Sequence, residues 1–325
     1  SVGIGNFFGF MPPRMAVESS LLGVELDSVT ARMAKLLYPK ANIQEMGFQD
    51  AEIASNSIDV AVGNPPFLTK SKPVGGWKRT VPKHIRGLHN LFFLHALDKV
   101  RPGGIVAFVT SRYTLDSLNQ TTRQEIEKGA NFLGAIRLPE TAFKKSAGTE
   151  VVTDIIFLQK RSETTPKKST VPWISTGTQS LPATVNESLP ATVNEYFIKH
   201  PEMVIGKPSM TGTMYAADTY TVKDHGNLVE KQPSEFVKRL NAAIKEGLPS
   251  NIYTEESVTL LEAEQAVRGA SGLIDSYTKD SAELRALVPE GSYWISPEGT
   301  LYVREDGRLV KPQRLQTKNR ARLAV

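Results

Sequence analysis

The chain has 325 residues, of which 40% are hydrophobic and 22% charged, with a formal net charge of +5; this is the balance of a globular protein of one large or two ordinary domains. With no cysteine, disulfides and thiolate metal sites are excluded, and the five histidines are not spaced as a metal cluster. The most apolar stretch, Gly103 to Val109, is strand-sized, and no charged-then-apolar leader is seen, so a cytoplasmic protein with no metal and no membrane partner is expected.

Short β-branched runs alternate with helical segments from Leu21 to Arg161. Residues 21–26 read as a strand, 28–37 as a helix, 41–46 and 57–63 as strands, and 88–100 as a helix. That helix stops at Arg101-Pro102-Gly103-Gly104. A strand over 105–111, a helix over 119–129, and strands over 133–138 and 151–159 follow. Strands separated by helices predict an α/β fold whose mostly parallel sheet has helices on both faces. The last two strands, joined by a glycine-containing loop, would close the sheet as an antiparallel hairpin.

Residues 162–195 read as a linker: a Ser/Thr/Pro/Lys-rich stretch, then a direct repeat of Ser-Leu-Pro-Ala-Thr-Val-Asn-Glu at 180–187 and 188–195. Two copies are too few for a solenoid. In the α+β region 196–325, residues 234–246 form a capped amphipathic helix with Phe236, Leu240, Ala243 and Ile244 on one face. Residues 258–287 look helical, and 293–310 read as short strands turning at 297–299 and 305–307.

The chemistry gathers after the strand 57–63, at Asn64-Pro65-Pro66-Phe67. Open α/β sheets bind ligands at the carboxyl ends of their strands. An NH2 group on an aromatic ring is a poor nucleophile because its lone pair is delocalised. The Asn64 side-chain oxygen and the Pro65 carbonyl can each accept one of its hydrogens, drawing the nitrogen toward tetrahedral geometry. Pro65 and Pro66 stiffen the backbone that positions both acceptors, and Phe67 offers a face on which a base can stack. The plain alternative is an Asn-Pro turn.

Gly3, Gly5 and Asn6 form a loop whose backbone can pass close to a cofactor. Glu25 lies at a strand end about 20 residues on, where an acid commonly takes ribose hydroxyls. Gln49 or Asp50 follows the next strand and can meet a cofactor's adenine amine. Lys70, Lys72, Lys78, Arg79, Lys83 and Arg86, with Trp77, form a basic segment free of acids, suited to phosphates around an extruded base. A solvated loop and an ordinary surface carboxylate are the bland readings of these features.

The ordered set Gly3-x-Gly5, Gly23-Val24-Glu25 and Asn64-Pro65-Pro66-Phe67 resembles the motif order of gamma-type N6-adenine DNA methyltransferases, such as type I modification subunits. Phe132 to Pro139 and Ala142 to Phe157 are similar to the same group. More narrowly, the segments up to Ile205-Gly206 resemble the methylase part of large phage and mobile-element methylase-helicase proteins, some linked to anti-restriction. The resemblance implies a Rossmann-like S-adenosyl-L-methionine (AdoMet) domain at 1–161, double-stranded DNA as substrate, and further helicase-like domains in a longer polypeptide. Within it, Gly3, Gly5 and Glu25 hold AdoMet, and Asn64, Pro65 and Phe67 hold adenine. The family places a strand just before the glycine loop; that strand is expected upstream of Ser1, and 317–325 look like the start of a cut-off helix. Two other readings stand beside this one: methylation of RNA or protein glutamine, and a non-catalytic DNA-binding or structural module.

Overall fold

The structure, a computed structural model, describes residues 2–67, 82, 84–162, 172–184, 186–212, 218–224, 228–250, 252, 293–295, 301–305 and 308–310. The chain divides into two units, Ser1–Thr254 and Glu255–Val325. The first opens with short helices α1 (Asn6–Gly9) and α2 (Pro13–Glu18). β1 (Leu22–Glu25), α3 (Ser28–Leu37) and β2 (Asn42–Glu45) follow, and the two strands pair in parallel. α3 starts where the Asp27 carboxylate accepts the Thr30 N–H at 2.8 Å, a side-chain cap for a donor the helix cannot satisfy itself. Its buried residues are Ala31 and Ala34, small enough for the helix to lie close on the strands.

β3 (Ile58–Gly63), α4 (Leu88–Lys99) and β4 (Val100–Ser111) make a second parallel unit. α5 (Tyr113–Asp116), α6 (Thr121–Gly129), β5 (Ala130–Leu138), α7 (Lys144–Ala147) and β6 (Thr153–Lys160) complete a sheet of order β3-β4-β6-β5. β6 runs antiparallel to both neighbours, as a short local connection from β5 allows, whereas β3 reaches β4 through a helical crossover. This is the mixed α/β, Rossmann-like arrangement expected, with β5 and β6 as its antiparallel hairpin. β4 begins earlier than the sequence suggests: Ile58 pairs with Val100 and Val60 with Ile105, so the Arg101–Gly104 stretch is a bulge rather than a plain helix stop. The described residues pair β3 on one side only, and its Val60 and Val62 are 47% and 44% exposed.

The segment read as a linker contains a hairpin. β7 (Thr176–Pro182) and β8 (Ser188–Asn194) pair antiparallel, with Leu181 opposite Leu189, so the two octapeptide copies face each other about their second residue. Tertiary contact explains this: Leu181, Ala183, Ala191 and Val193 are buried, and a Ser/Thr/Pro-rich composition does not reveal that a surface waits for them. Beyond it come α8 (Glu195–Lys199), the antiparallel pair β9 (Lys207–Gly212) and β10 (Thr219–Lys223), α9 (Leu228–Lys231) and α10 (Pro233–Gly247). On α10, Phe236, Leu240 and Ala243 pack on the core as expected, but Ile244 is exposed. In the second unit, β11 (Tyr293–Ile295), β12 (Leu301–Glu305) and β13 (Arg308–Val310) form the expected antiparallel strands. The helix read at 258–287 and the segment 317–325 lie outside the described residues.

The main core joins α4, the four-stranded sheet and α6 through Leu91, Phe93, Val106, Phe108, Ile126, Ile136 and Leu158. α4 is buried nearly all round, which is why it is apolar on every face. Within this core sits a fully buried guanidinium. Arg137 of β5 forks onto Asp154 of β6 through Nε and Nη2 at 2.7 and 2.8 Å, and bonds Asp116 of α5 at 3.0 Å and the Tyr220 hydroxyl of β10 at 3.1 Å. Burial works against its charge, but the two carboxylates overcome that and raise its pKa. Replacing Asp154 with Asn removes one of those carboxylates, and a broken buried pair costs about 3–5 kcal/mol. The expected outcome is a urea midpoint lowered to match with the m-value unchanged; a loss within experimental error refutes it.

Candidate active site

Glu25 ends β1 with its carboxylate buried, and it organises the glycine loop. Its Oε2 accepts the Gly3 N–H at 2.9 Å, while Oε1 accepts the Leu26 and Asp27 N–H groups at 3.0 and 3.1 Å. Gly3 and Gly5 both have left-handed backbones, φ 59° and 91°. At Gly5 a Cβ would lie 2.3 Å from the Tyr38 ring, so α3's last turn demands glycine there as well; at Gly3 a Cβ would meet nothing within 4 Å. The pairing of Gly3 with Glu25 is thus real, and the two glycines serve different ends. Asn6 is exposed and begins α1.

These residues fit AdoMet. Both lone pairs of Oε1 are used, but Oε2 has one left for a ribose hydroxyl, and the open side of Gly3 leaves room for a ligand beside the backbone. Gln49 and Asp50 lie together on the turn Phe48–Asp50 after β2, with Gln49 Nε2 donating to Asp50 Oδ2 at 2.8 Å, so the structure does not choose between them. That turn is held to α4. His95 Nε2 donates to the Phe48 carbonyl at 3.1 Å, and the Phe48 ring packs on Phe92 and edge-on to His95.

At the carboxyl end of β3, Asn64 is exposed, Pro65 buried, Pro66 exposed and Phe67 half-buried. Gly63 pairs in parallel with Phe108 of β4, so residues 64–67 leave the sheet at the end where Ser111 leaves β4. Of the basic segment, Arg86 is exposed, donating from Nη1 to the Ile85 carbonyl at 3.1 Å. Lys70, Lys72, Trp77, Lys78, Arg79 and Lys83 lie outside the described residues.

Sequence reading passed over the cleft at the end of β4. It is a shallow cleft lined by Arg112, Tyr113, Glu140, Glu150 and Tyr220, among others. The Arg112 guanidinium lies 4.4 Å from the Tyr113 ring centre and 4.9 Å from that of Tyr220, and Nη1 donates to Asp116 at 3.1 Å. The signal was positional: Arg112-Tyr113 follows β4 as Asn64-Pro65 follows β3. Among the described residues, no group of three His, Cys, Asp or Glu can hold a metal, and no helix is long and apolar enough to cross a membrane.

The chain belongs to the N-6 DNA Methylase family, whose model matches residues 14–189, more than half of its length. It is 29% identical over 163 residues to defense against restriction protein B of Escherichia phage P1, a match that takes in 49% of this chain and 7% of that protein. Among solved structures, it is similar to the methyltransferase subunit of a Streptococcus thermophilus type I restriction-modification system. There the identity is 18% and the TM-score 0.39, with 50% of this chain and 39% of that one covered. It is also similar to the M protein of the type I restriction enzyme EcoKI, at 15% identity and TM-score 0.37, covering 82% and 67%.

Burial lowers the pKa of both α4 histidines, His89 and His95, from 6.5 to about 4. The unfolded chain therefore takes up protons first, and stability falls as pH drops from 6.5 toward 4, by roughly 3 kcal/mol per histidine at the limit. Both imidazole NMR signals are expected to stay those of the neutral ring down to about pH 5; a midpoint near 6.5 contradicts this.

Proposed function

We propose that the chain transfers a methyl group from AdoMet to the N6 amine of adenine in double-stranded DNA. The observation that carries this is Asn64-Pro65-Pro66-Phe67 at the carboxyl exit of a parallel strand, within the residues that the family's model matches. When bound, AdoMet would supply its sulfonium methyl as the electrophile, the S–CH3 electron pair returning to sulfur as a neutral thioether. The Asn64 side-chain oxygen and the Pro65 carbonyl accept the two amine hydrogens and localise the lone pair on N6 as the N–CH3 bond forms. They continue to share the surplus proton until solvent removes it. Buried Pro65 fixes one acceptor, Phe67 stacks on the ring of the extruded base, and Arg86 with its basic segment takes the phosphates. Glu25 Oε2 orients the cofactor ribose, Gly3 and Gly5 let the backbone run beside it, and Asn6, Gln49 and Asp50 border the same site.

The chain spans a small part of its phage relative, so helicase-like domains, a restriction-modification or anti-restriction setting, and a cytoplasmic location belong to this proposal too.

The test measures labelled methyl transfer to duplex DNA together with AdoMet affinity. Asn64→Ala is expected to slow transfer about 100-fold or more, the scale of losing one charge-stabilising contact, with AdoMet affinity unchanged. Methyl label in RNA or protein but not in DNA N6-methyladenine would reassign the acceptor. Equal rates for Asn64→Ala and the native chain would remove Asn64 from the chemistry.

A further inference from the structure

The turn Phe48–Asp50 is where the part of the first unit that carries Gly3, Gly5 and Glu25 meets the main core. Among the described residues, β1 and β2 pair only with each other, and with α3 they keep a small core of their own, Ala31, Ala34 and Ile43. Among the described residues before β3, Phe48 is the one apolar side chain that packs on the main core. Its ring centre lies 5.0 Å from that of Phe92 and 4.6 Å from that of His95, edge-on to the imidazole.

The Phe48 carbonyl makes the second half of this joint. It accepts the Ala51 N–H at 3.3 Å, which closes the turn, and His95 Nε2 at 3.1 Å, which fastens the turn to α4. A carbonyl can only accept, so Nε2 is the nitrogen that carries the proton. His95 is 3% exposed. Burial, then the charge of Lys99, lowers its pKa to about 4 against the opposing effects of Asp98, the Phe48 carbonyl and Asp50. The imidazole is therefore neutral at neutral pH and holds one N–H on the carbonyl. Next along the turn, Gln49 is half-buried and Asp50 exposed. The Gln49 amide folds over Gly47, into the space a Cβ there would need, and donates to Asp50. The Asp50 carboxylate still has lone pairs for an exocyclic amine.

We propose that His95 is a positioning residue for the cofactor: through the Phe48 carbonyl and ring it fixes the turn on which Gln49 and Asp50 meet the exocyclic amine of the AdoMet adenine. The inference rests on the AdoMet reading above and adds to it a residue that acts through Phe48 without touching the cofactor. A turn held before the ligand arrives loses little freedom on binding, so the contact to the amine is lost when the anchor is lost.

The experiment compares, by calorimetry on the whole chain, the affinities for S-adenosyl-L-homocysteine and S-inosyl-L-homocysteine, which differ at the ring position of that amine. The native chain is expected to prefer the adenosyl ligand about tenfold or more, the scale of one hydrogen bond to a charged group. In His95→Ala, and in His95→Phe, which fills the space without a donor, the preference is expected to fall to about twofold or less. His95→Gln, whose amide can donate to the Phe48 carbonyl, is expected to restore most of it. The preference is a ratio of two affinities, so a smaller folded fraction cancels from it. Retention of the native preference in either His95→Ala or His95→Phe overturns the positioning role and leaves the AdoMet reading standing. No preference in the native chain overturns the adenine contact and the positioning role together, and no binding of either ligand overturns the AdoMet reading as well.

Discussion

The buried guanidinium of Arg137 is the constraint around which the first unit is arranged. It ties β5 to β6 through Asp154, to the turn after β4 through Asp116, and to β10 through Tyr220, and its Cζ lies 4.1 Å from the Phe197 ring centre of α8. A charge with no exposure needs every partner in place, because each missing one leaves an ion in a low-dielectric interior. We take its role to be registry: only one packing of the hairpins on the sheet satisfies it. Asp116 passes the constraint outward, accepting the Asn194 N–H at 2.9 Å and the Arg112 guanidinium.

The same economy of buried polar groups recurs nearby. Arg123, also fully buried, donates to the carbonyls of Thr114, Ser117 and Ile174, and burial lowers its pKa to about 10. Trp173 stacks on Phe132 at 4.7 Å and 7° while its indole N–H reaches Glu127. Together these fasten the residues before β7 to the sheet.

Much of the candidate site was legible in the sequence alone, because the reading rests on local chemistry. Asn64-Pro65-Pro66-Phe67 after a β-branched run places two acceptors at a strand exit whatever surrounds them, and Gly3, Gly5 and Glu25 lie at the spacing of a cofactor loop and its acid. What stayed hidden was contact across the chain. Arg112 and Tyr113 had no part in the sequence reading; Tyr220, more than a hundred residues later, lines the same cleft with them. Gln49 and Asp50 remain equivalent because they bond each other on one turn.

The octapeptide repeat marks the boundary between what sequence and tertiary structure decide. Sequence by itself determined the alternation of strands and helices, the antiparallel closing hairpin, the amphipathic stripe of α10 and the strand-exit motif, since each follows from periodicity or from backbone chemistry within a few residues. It assigned the same eight letters twice. Tertiary structure gave them opposite fates: Asn186 is exposed in the hairpin turn, whereas Asn194 is buried, capping α8 and donating to the Leu115 and Trp173 carbonyls. An asparagine is buried only where partners for both its amide hydrogens and its oxygen already stand; the oxygen finds Tyr196 two residues on, but the carbonyls for the amide hydrogens come from residues far along the chain.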